Sequence, residues 1–504
     1  METILSRNVK LIKVEKLDDV YVRVFGDASI EQELTDFFTY EYPGARFTPQ
    51  YRARLWDGKV RLYDQLRKTL YVGLLHYVQE FCKRNEYELE IDAELRVQCD
   101  HDEDYIEGFV RSLNPSSRGQ PITIRDYQLD AIYTAISRER TLLLSPTASG
   151  KSLIIYATLR YHLEYGRKIV LIVPTTSLVE QMYADFEDYS SSNGWDVEQH
   201  CQKLYSGFPK DFTRDVLITT WQSIYKQPKN WFRQFDVIFG DEAHQFKAKS
   251  LTDTLGKMDN IRYRIGTTGT LDNKKVHRLV LEGIFGPVYK VTTTKQLMDS
   301  GRLSDLDIKC IMLKYPDDVR ETMKRAQYQD EMDFIVRNEK RNKFIRNLAV
   351  KQKGNTLVLF QYVKKHGIHL YEEIDKKAKE VGKQVFFVAG ETVVSERERI
   401  REVARDAEDC IIVASYGTFS TGINIPSIEN IIFASPSKSK IRNLQSIGRG
   451  LRLKEGKQSC DLYDLADDLH WKSWKNHTLN HAAERYKTYA EEDFKIKIVE
   501  VNLD

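Results

Sequence analysis

TLLLSPTASGKSLIIYATLRYHL, Thr141 to Leu163, begins as an apolar β-rich run and ends as a helical one. Between the two stands SPTASGKS, Ser145 to Ser152. A turn of small residues joining a strand to a helix is where backbone N–H groups at a helix N-terminus can wrap phosphates. On that reading Ser145, Pro146, Thr147, Ala148, Ser149 and Gly150 form the cradle, Lys151 meets the β- and γ-phosphates, and Ser152 holds magnesium. The first position is Ser145 rather than the glycine of the common G-x-x-x-x-G-K-[ST] pattern, so the match is imperfect. The competing reading is an ordinary strand-to-helix turn, and the strand and helix on either side weigh against it.

Working outward, short β-rich runs recur with helical segments between them: Thr141 to Leu144, Ile169 to Val173, Val216 to Thr219, Val237 to Phe239, and Ile265 before Gly266. Several are apolar on consecutive residues, as parallel strands covered on both faces must be. A second series follows at Thr356 to Phe360, Val385 to Val388, Ile411 to Val413 and Ile431 to Phe433. Strands alternating with helices give an α/β fold, here two similar parallel-sheet units in tandem. Phe494 to Val501 alternates apolar and polar residues and reads as a last strand on the second unit. Before the first unit, LNPSSRGQP, Leu113 to Pro121, concentrates Pro, Gly and Ser and reads as a linker, so a small α+β domain precedes it. The expected domains are residues 1–112, 113–295 and 296–504. The acidic run Cys99 to Glu107 reads as a solvated helix start rather than a metal site.

Composition narrows the class without naming a ligand. The 504 residues are 41% hydrophobic and 30% charged, with 76 basic and 74 acidic side chains, so the net charge is only +2. Any nucleic-acid footprint must therefore be local. No apolar run approaches the roughly 20 residues of a membrane span, and the opening METILSRNVKLIKVEKL lacks the features of a secretory signal. A cytoplasmic location is expected. The six cysteines are scattered without C-x-x-C pairs and read as reduced thiols.

FDVIFGDEAH, Phe235 to His244, ends an apolar strand on an acidic pair. Asp241 at the strand tip can hold magnesium, and Glu242 can orient or activate the water that attacks a γ-phosphate. Adjacent acids on loops are usually only solvated, but this pair closes a buried strand in a unit that already carries a phosphate loop. His244 has no second His or Cys at ligand spacing, which favours a linking role over zinc.

SPTASGKS, PTTSLVEQ, TTWQSI, DEAH, TGT, STGIN and QSIGRGLR occur in the order and approximate spacing of superfamily 2 helicases, and over roughly Ile122 to Asp468 the chain resembles that family. The resemblance implies two RecA-like domains, ATP with Mg2+, and DNA as partner. It implies that Arg125 and Gln128 recognise adenine and that His244, Thr268 and Thr270 couple hydrolysis to movement. Gln445, Arg449 and Arg452 of the second domain would serve catalysis at the γ-phosphate, where a planar guanidinium stabilises charge on the transferring oxygens. Gly422 and Asn424 would lie near the nucleotide. Asn424 stands where relatives often carry aspartate, and Gly269 gives TGT in place of SAT with both hydroxyls kept.

Pro174, Thr175, Thr176, Thr219, Thr220, Gln222, Thr418 and Thr421 are similarly implied to line a strand-binding groove, with helix capping as the plainer alternative. The chain as a whole resembles family members acting on branched DNA and RNA–DNA hybrids, which implies R-loop unwinding, Holliday-junction branch migration and regression of stalled forks by a monomer, with other recombination or replication proteins as further partners. An RNA helicase and a restriction-type duplex translocase share the same motor elements and remain alternatives, as does a clamp whose ATP site no longer turns over.

YRARLWDGKVRLYD, Tyr51 to Asp64, carries a separate signal. Asp57-Gly58 predicts a two-residue hairpin turn. That register sets Arg52, Arg54, Trp56, Lys59, Arg61 and Tyr63 on one face and puts Arg54 opposite Arg61, a repulsion an anion would relieve. The expected ligand of this face is duplex or branched DNA, against a plain solvated face.

Overall fold

In the computed structural model the described residues are 10–97, 99, 101–206, 211–246, 249–271, 274–390, 392, 396, 399–400, 402–404, 407–418, 428–437, 439–451 and 459–503. The chain divides into two compact units, residues 1–145 with 150–291 and residues 146–149 with 292–504.

The first unit opens with strands β1 (Leu11–Lys16), β2 (Tyr21–Phe25), β3 (Thr39–Glu41), β4 (Lys59–Arg61), β5 (Thr69–Tyr71) and β6 (Glu88–Ile91). Four of them form a mixed sheet in the order β5-β2-β1-β6, with β6 parallel to β1. Strand alternation turns Ile12, Val14, Val22 and Val24 into one buried face, which packs with Ile30 and Leu34 of helix Ala28–Phe37 and Val78 and Phe81 of helix Leu75–Asn85.

The predicted hairpin at Asp57-Gly58 does not form. Thr48 caps a short helix, Pro49–Arg52, by accepting from the Tyr51 N–H, with Pro49 at its first position. A Thr-Pro start of this kind removes residues 49–52 from any strand. Arg54 then takes a left-handed backbone with φ 57°. β4 pairs instead with β3, Tyr40 opposite Val60. Arg61 consequently faces Asp57, with Nη2 2.5 Å from Oδ2, and not Arg54.

Leu113 to Pro121 is also ordered. β7 (Ser116–Ser117) and β8 (Gln120–Pro121) form a small turn that docks on helix Thr176–Ser190 through the Ser117 hydroxyl and the Arg118 N–H, both donated to the Asp188 carboxylate at 2.8 and 2.7 Å.

Seven parallel strands follow: β9 (Arg140–Leu144), β10 (Ile169–Val173), β11 (Cys201–Leu204), β12 (Val216–Thr220), β13 (Val237–Gly240), β14 (Tyr263–Thr268) and β15 (Val288–Lys290), in the order β11-β12-β10-β13-β14-β9-β15. β10, β12 and β13 are buried at every residue, as a doubly covered sheet requires. The N-terminal sheet is fastened to this domain at helix Lys275–Phe285, where a Cβ on Gly73 would fall 2.0 Å from the Glu282 carbonyl oxygen. Glu282 is itself buried, accepting from Tyr77 Oη at 2.6 Å and Arg278 Nε at 2.7 Å.

The second unit repeats the architecture. Its strands are β16 (Asp305–Lys314), β17 (Asn355–Phe360), β18 (Gln384–Val388), β19 (Cys410–Ser415), β20 (Ile428–Phe433), β21 (Ser459–Asp468) and β22 (Ile496–Asn502), all parallel in the order β18-β19-β17-β20-β21-β16-β22. Two parallel seven-stranded sheets match the expected tandem α/β fold, and β22 is the terminal strand read from its alternation. No helix among the described residues is long and apolar enough to cross a membrane.

Candidate nucleotide and nucleic-acid sites

The phosphate loop leaves the carboxyl end of β9, where open α/β sheets place ligands. The Ser145 N–H donates to the Thr268 carbonyl at 2.8 Å, tying the loop to the end of β14. Ala148 and Gly150 take positive φ values of 66° and 87°. Glycine suits position 150 because its φ lies in the left-handed region, where any other side chain would be strained. Helix Lys151–Glu164 starts immediately after it.

Gln128 is buried and its Oε1 accepts from the Arg125 N–H at 3.0 Å, so the two residues expected to recognise adenine form one capped turn. Arg125 Nη1 donates to Tyr127 Oη at 2.6 Å.

β13 ends between β10 and β14 and delivers the acidic pair to the same sheet edge. Lys151 Nζ lies 2.9 Å from Glu242 Oε1, and His244 Nδ1 lies 3.3 Å from Glu242 Oε2. Burial alone would raise the Glu242 carboxyl, but Lys151 and His244 outweigh it and hold the group well below the usual carboxylate range, ionised. For Asp241 burial dominates and pushes the carboxyl up, with Lys151 pulling it partly back. Glu242 has a left-handed backbone, φ 50°, which turns the chain sharply between the two acids.

Behind them, His244 Nδ1 is 3.0 Å from Thr268 Oγ1, and Thr268 Oγ1 donates to the Thr270 carbonyl at 2.9 Å. His244, Thr268 and Thr270 are thus hydrogen-bonded in series, Thr270 through its backbone carbonyl. Thr267 was not singled out by motif, yet its Oγ1 donates to Asp241 Oδ1 at 2.7 Å. The signal lay in register: Gly266 pairs with Gly240, so Thr267 comes level with Asp241. Tyr189 is a second addition, its Oη 2.7 Å from Ser152 Oγ.

The donor set suits a hydrated divalent cation and a nucleotide: the Ser152 hydroxyl and Asp241 carboxylate are hard oxygen donors of the kind magnesium takes, and the loop leads directly into the N-terminus of helix Lys151–Glu164. Gly422, Asn424, Thr421 and Arg452 lie outside the described residues, as do the side chains of Gln445 and Arg449.

Residues 11–92 match the family described as DNA helicase UvsW, N-terminal; residues 121–273 match type III restriction enzyme, res subunit; and residues 339–454 match helicase conserved C-terminal domain. The chain is 35% identical to the ATP-dependent DNA helicase uvsW of Enterobacteria phage T4, over 98% of this chain and 100% of that one. It belongs to the UvsW family of ATP-dependent DNA helicases. The crystal structure of T4 UvsW is 33% identical over 98% of this chain and 100% of its own, with a TM-score of 0.53. A more distant relative, the DNA 3'-5' helicase XPB of Kineococcus radiotolerans, is 23% identical over 79% of this chain and 68% of that one.

Membership in the UvsW family makes nucleotide use and DNA as substrate properties of this chain. The groove residues divide by environment. Pro174 and Thr175 are half-buried, Thr176 and Gln222 exposed. Thr175 caps helix Thr176–Ser190, the plainer role foreseen for it. Thr219 is fully buried and spends its hydroxyl on the Leu204 carbonyl at 2.7 Å, while Thr220 Oγ1 lies 3.0 Å from Ser223 Oγ. Thr418 is buried with Oγ1 2.8 Å from Ser415 Oγ.

In the N-terminal domain Arg46, Tyr51, Arg52, Arg54, Trp56 and Asp57 line an open recess of about 530 Å³. Lys59 and Arg61 are exposed on β4, and Trp56 Nε1 donates to the Lys59 carbonyl at 2.8 Å. The basic and aromatic residues are thus gathered by a helix and a loop instead of by a strand face.

Proposed function

We propose that this helicase remodels branched nucleic acid, unwinding R-loops, migrating Holliday junctions and regressing stalled forks, in the service of recombination, repair and replication. The observation that carries the motor is the Lys151–Glu242 pair at the carboxyl edge of a parallel sheet, with His244 3.3 Å from Glu242 and itself hydrogen-bonded to Thr268. ATP binding sets phosphates in competition with Glu242 for Lys151. Glu242, ionised, then orients the attacking water, while Ser152 and Asp241 would hold the magnesium, whose charge would offset that of the phosphate oxygens. By family resemblance Arg449 and Arg452 would stabilise charge at the γ-phosphate, and Gln445, Gly422 and Asn424 would serve the same nucleotide, which makes turnover depend on the second domain. Arg125 and Gln128 hold adenine.

Residues 1–112 serve as the DNA-binding module, with 113–295 and 296–504 as the motor domains. Arg52, Arg54, Trp56, Lys59 and Arg61 meet the branched duplex, a role supported by three arginines and two aromatic rings lining one open recess. Pro174 to Thr176, Thr219, Thr220, Gln222, Thr418 and Thr421 follow one strand. The protein acts as a monomer in the cytoplasm on DNA and on RNA–DNA hybrids. Reversing Arg52 and Arg54 to glutamate tests the module: weaker junction binding with a shallower salt dependence is expected, and parent affinity and slope would refute it.

A further inference from the structure

The turn from β20 into helix Lys440–Gly450 is held by side chains that no motif contains. Arg341, on helix Glu339–Lys351, donates Nη1 to the Ala434 carbonyl at 2.8 Å. Tyr416 Oη donates to the Ser435 carbonyl at 3.1 Å. The Ser435 hydroxyl accepts from the Gln361 N–H at 3.1 Å and lies 3.1 Å from His366 Nδ1. Arg485, on helix His477–Glu491, donates Nη1 to the Ser437 carbonyl at 3.2 Å.

Both guanidiniums are buried, 0% and 2% exposed, and each is neutralised by a buried aspartate of β21. Arg341 binds Asp467 through Nε and Nη2 at 2.7 and 3.1 Å. Arg485 binds Asp464 through Nε and Nη2, each at 2.8 Å. Tyr315 Oη and Tyr489 Oη complete the two aspartates, at 2.8 Å each. Asp464 and Asp467 are three apart on a strand, so they point to opposite faces of the sheet. One Arg–Asp–Tyr group therefore grips the turn from each face. Two such groups are a costly way to fill a core, since apolar residues of similar volume commonly serve stability as well. What they supply is direction: a guanidinium anchored bidentately presents its remaining N–H at a fixed angle.

We infer that Arg341 and Arg485 are positioning residues for ATP turnover, clamping residues 434–437 so that the helix bearing Gln445 and Arg449 starts in one orientation. The inference rests on the catalytic role proposed above for Arg449. Lysine at either position keeps the charge but cannot hold the carboxylate bidentately and the carbonyl together.

The test is DNA-stimulated ATP hydrolysis by the full chain, read as kcat and KM for ATP with Tm alongside, for Arg341→Lys, Arg485→Lys and Tyr416→Phe. In the lysine variants kcat falls about tenfold or more while KM stays within about twofold, since nucleotide binding is left intact. Tyr416→Phe keeps the ring and loses one hydrogen bond, lowering kcat about fivefold. If the lysine variants fail to fold, Tyr416→Phe decides alone. Parent kcat in Tyr416→Phe and in every lysine variant that folds overturns the clamp, whatever happens to Tm. Arg449→Ala separates the two ideas. Parent turnover in Arg449→Ala removes the arginine assignment and the clamp's purpose with it, whereas an inactive Arg449→Ala beside fully active clamp variants overturns the clamp alone.

Discussion

Lys151 Nζ stands 2.9 Å from Glu242 Oε1, so the phosphate-loop cation and the strand-tip carboxylate neutralise each other across the end of the first motor sheet. A phosphate entering the loop must take that cation over. Lys151→Ala is therefore expected to abolish ATP hydrolysis while leaving the fold intact, at a stability cost of about 3 kcal/mol, the low end for a buried pair because both side chains keep about a fifth of their surface exposed. Glu242→Gln keeps an oxygen for Lys151 but removes the anion, so nucleotide still binds while hydrolysis falls about 100-fold or more. Phosphate release and fluorescent-nucleotide binding check both. Full turnover in either variant would show that the site is misassigned.

Thr267 is the buried support of Asp241, donating to it at 2.7 Å. Thr267→Val keeps the shape and loses a hydrogen bond to a buried carboxylate, which costs about 1.5 to 3 kcal/mol of stability. With Asp241 less well oriented, the Mg2+ concentration giving half-maximal ATPase should rise. A titration that superimposes on that of the parent would argue against a metal role for Asp241.

His366 gives the second unit a pH dependence. Burial, then the Arg341 charge, push its imidazole down to about 3, so the folded protein keeps it neutral where the unfolded chain protonates it near 6.5. The folded state binds fewer protons, and its stability is complete above the unfolded pKa and lost as pH falls from there toward the folded one. The slope approaches about 1.4 kcal/mol per pH unit. His366→Gln should flatten part of the decline in denaturation midpoint between pH 7.5 and pH 5, the rest including His162, also pushed to about 3. Identical slopes for parent and variant would refute the assignment.

The N-terminal domain is fixed to the first motor domain through Glu282, which accepts from Tyr77 at 2.6 Å. Tyr77→Phe removes a hydrogen bond to a buried carboxylate, worth about 1.5 to 3 kcal/mol. Faster amide exchange in helices Leu75–Asn85 and Lys275–Phe285 is the expected result. Exchange unchanged in both would mean that other contacts hold the docking.

The buried centre of each sheet was legible from sequence because doubly covered strands such as Ile169–Val173 are apolar at every position. What escaped were β11 and β15, at sheet edges, and β16 and β21, inside the second sheet, because polar and charged residues interrupt the apolar run in all four. The phosphate loop and acidic pair could be placed because strand and helix signals flank them. Thr267 and Tyr189 could not, since they meet Asp241 and Ser152 only through strand register and helix packing. The failed hairpin at Asp57-Gly58 shows a local turn signal losing to a stronger neighbour: Thr48-Pro49 starts a helix, and Tyr40 supplies the partner of Val60 that Leu55 was expected to give.

The most direct test of the whole account is ATP-driven remodelling measured side by side on a Holliday junction, an R-loop, a fork and a plain duplex. The branched substrates should stimulate phosphate release above the duplex and be converted to products only with ATP and Mg2+, and Glu242→Gln should bind them without converting them. Equal stimulation by the plain duplex with no conversion of any branched substrate would contradict it.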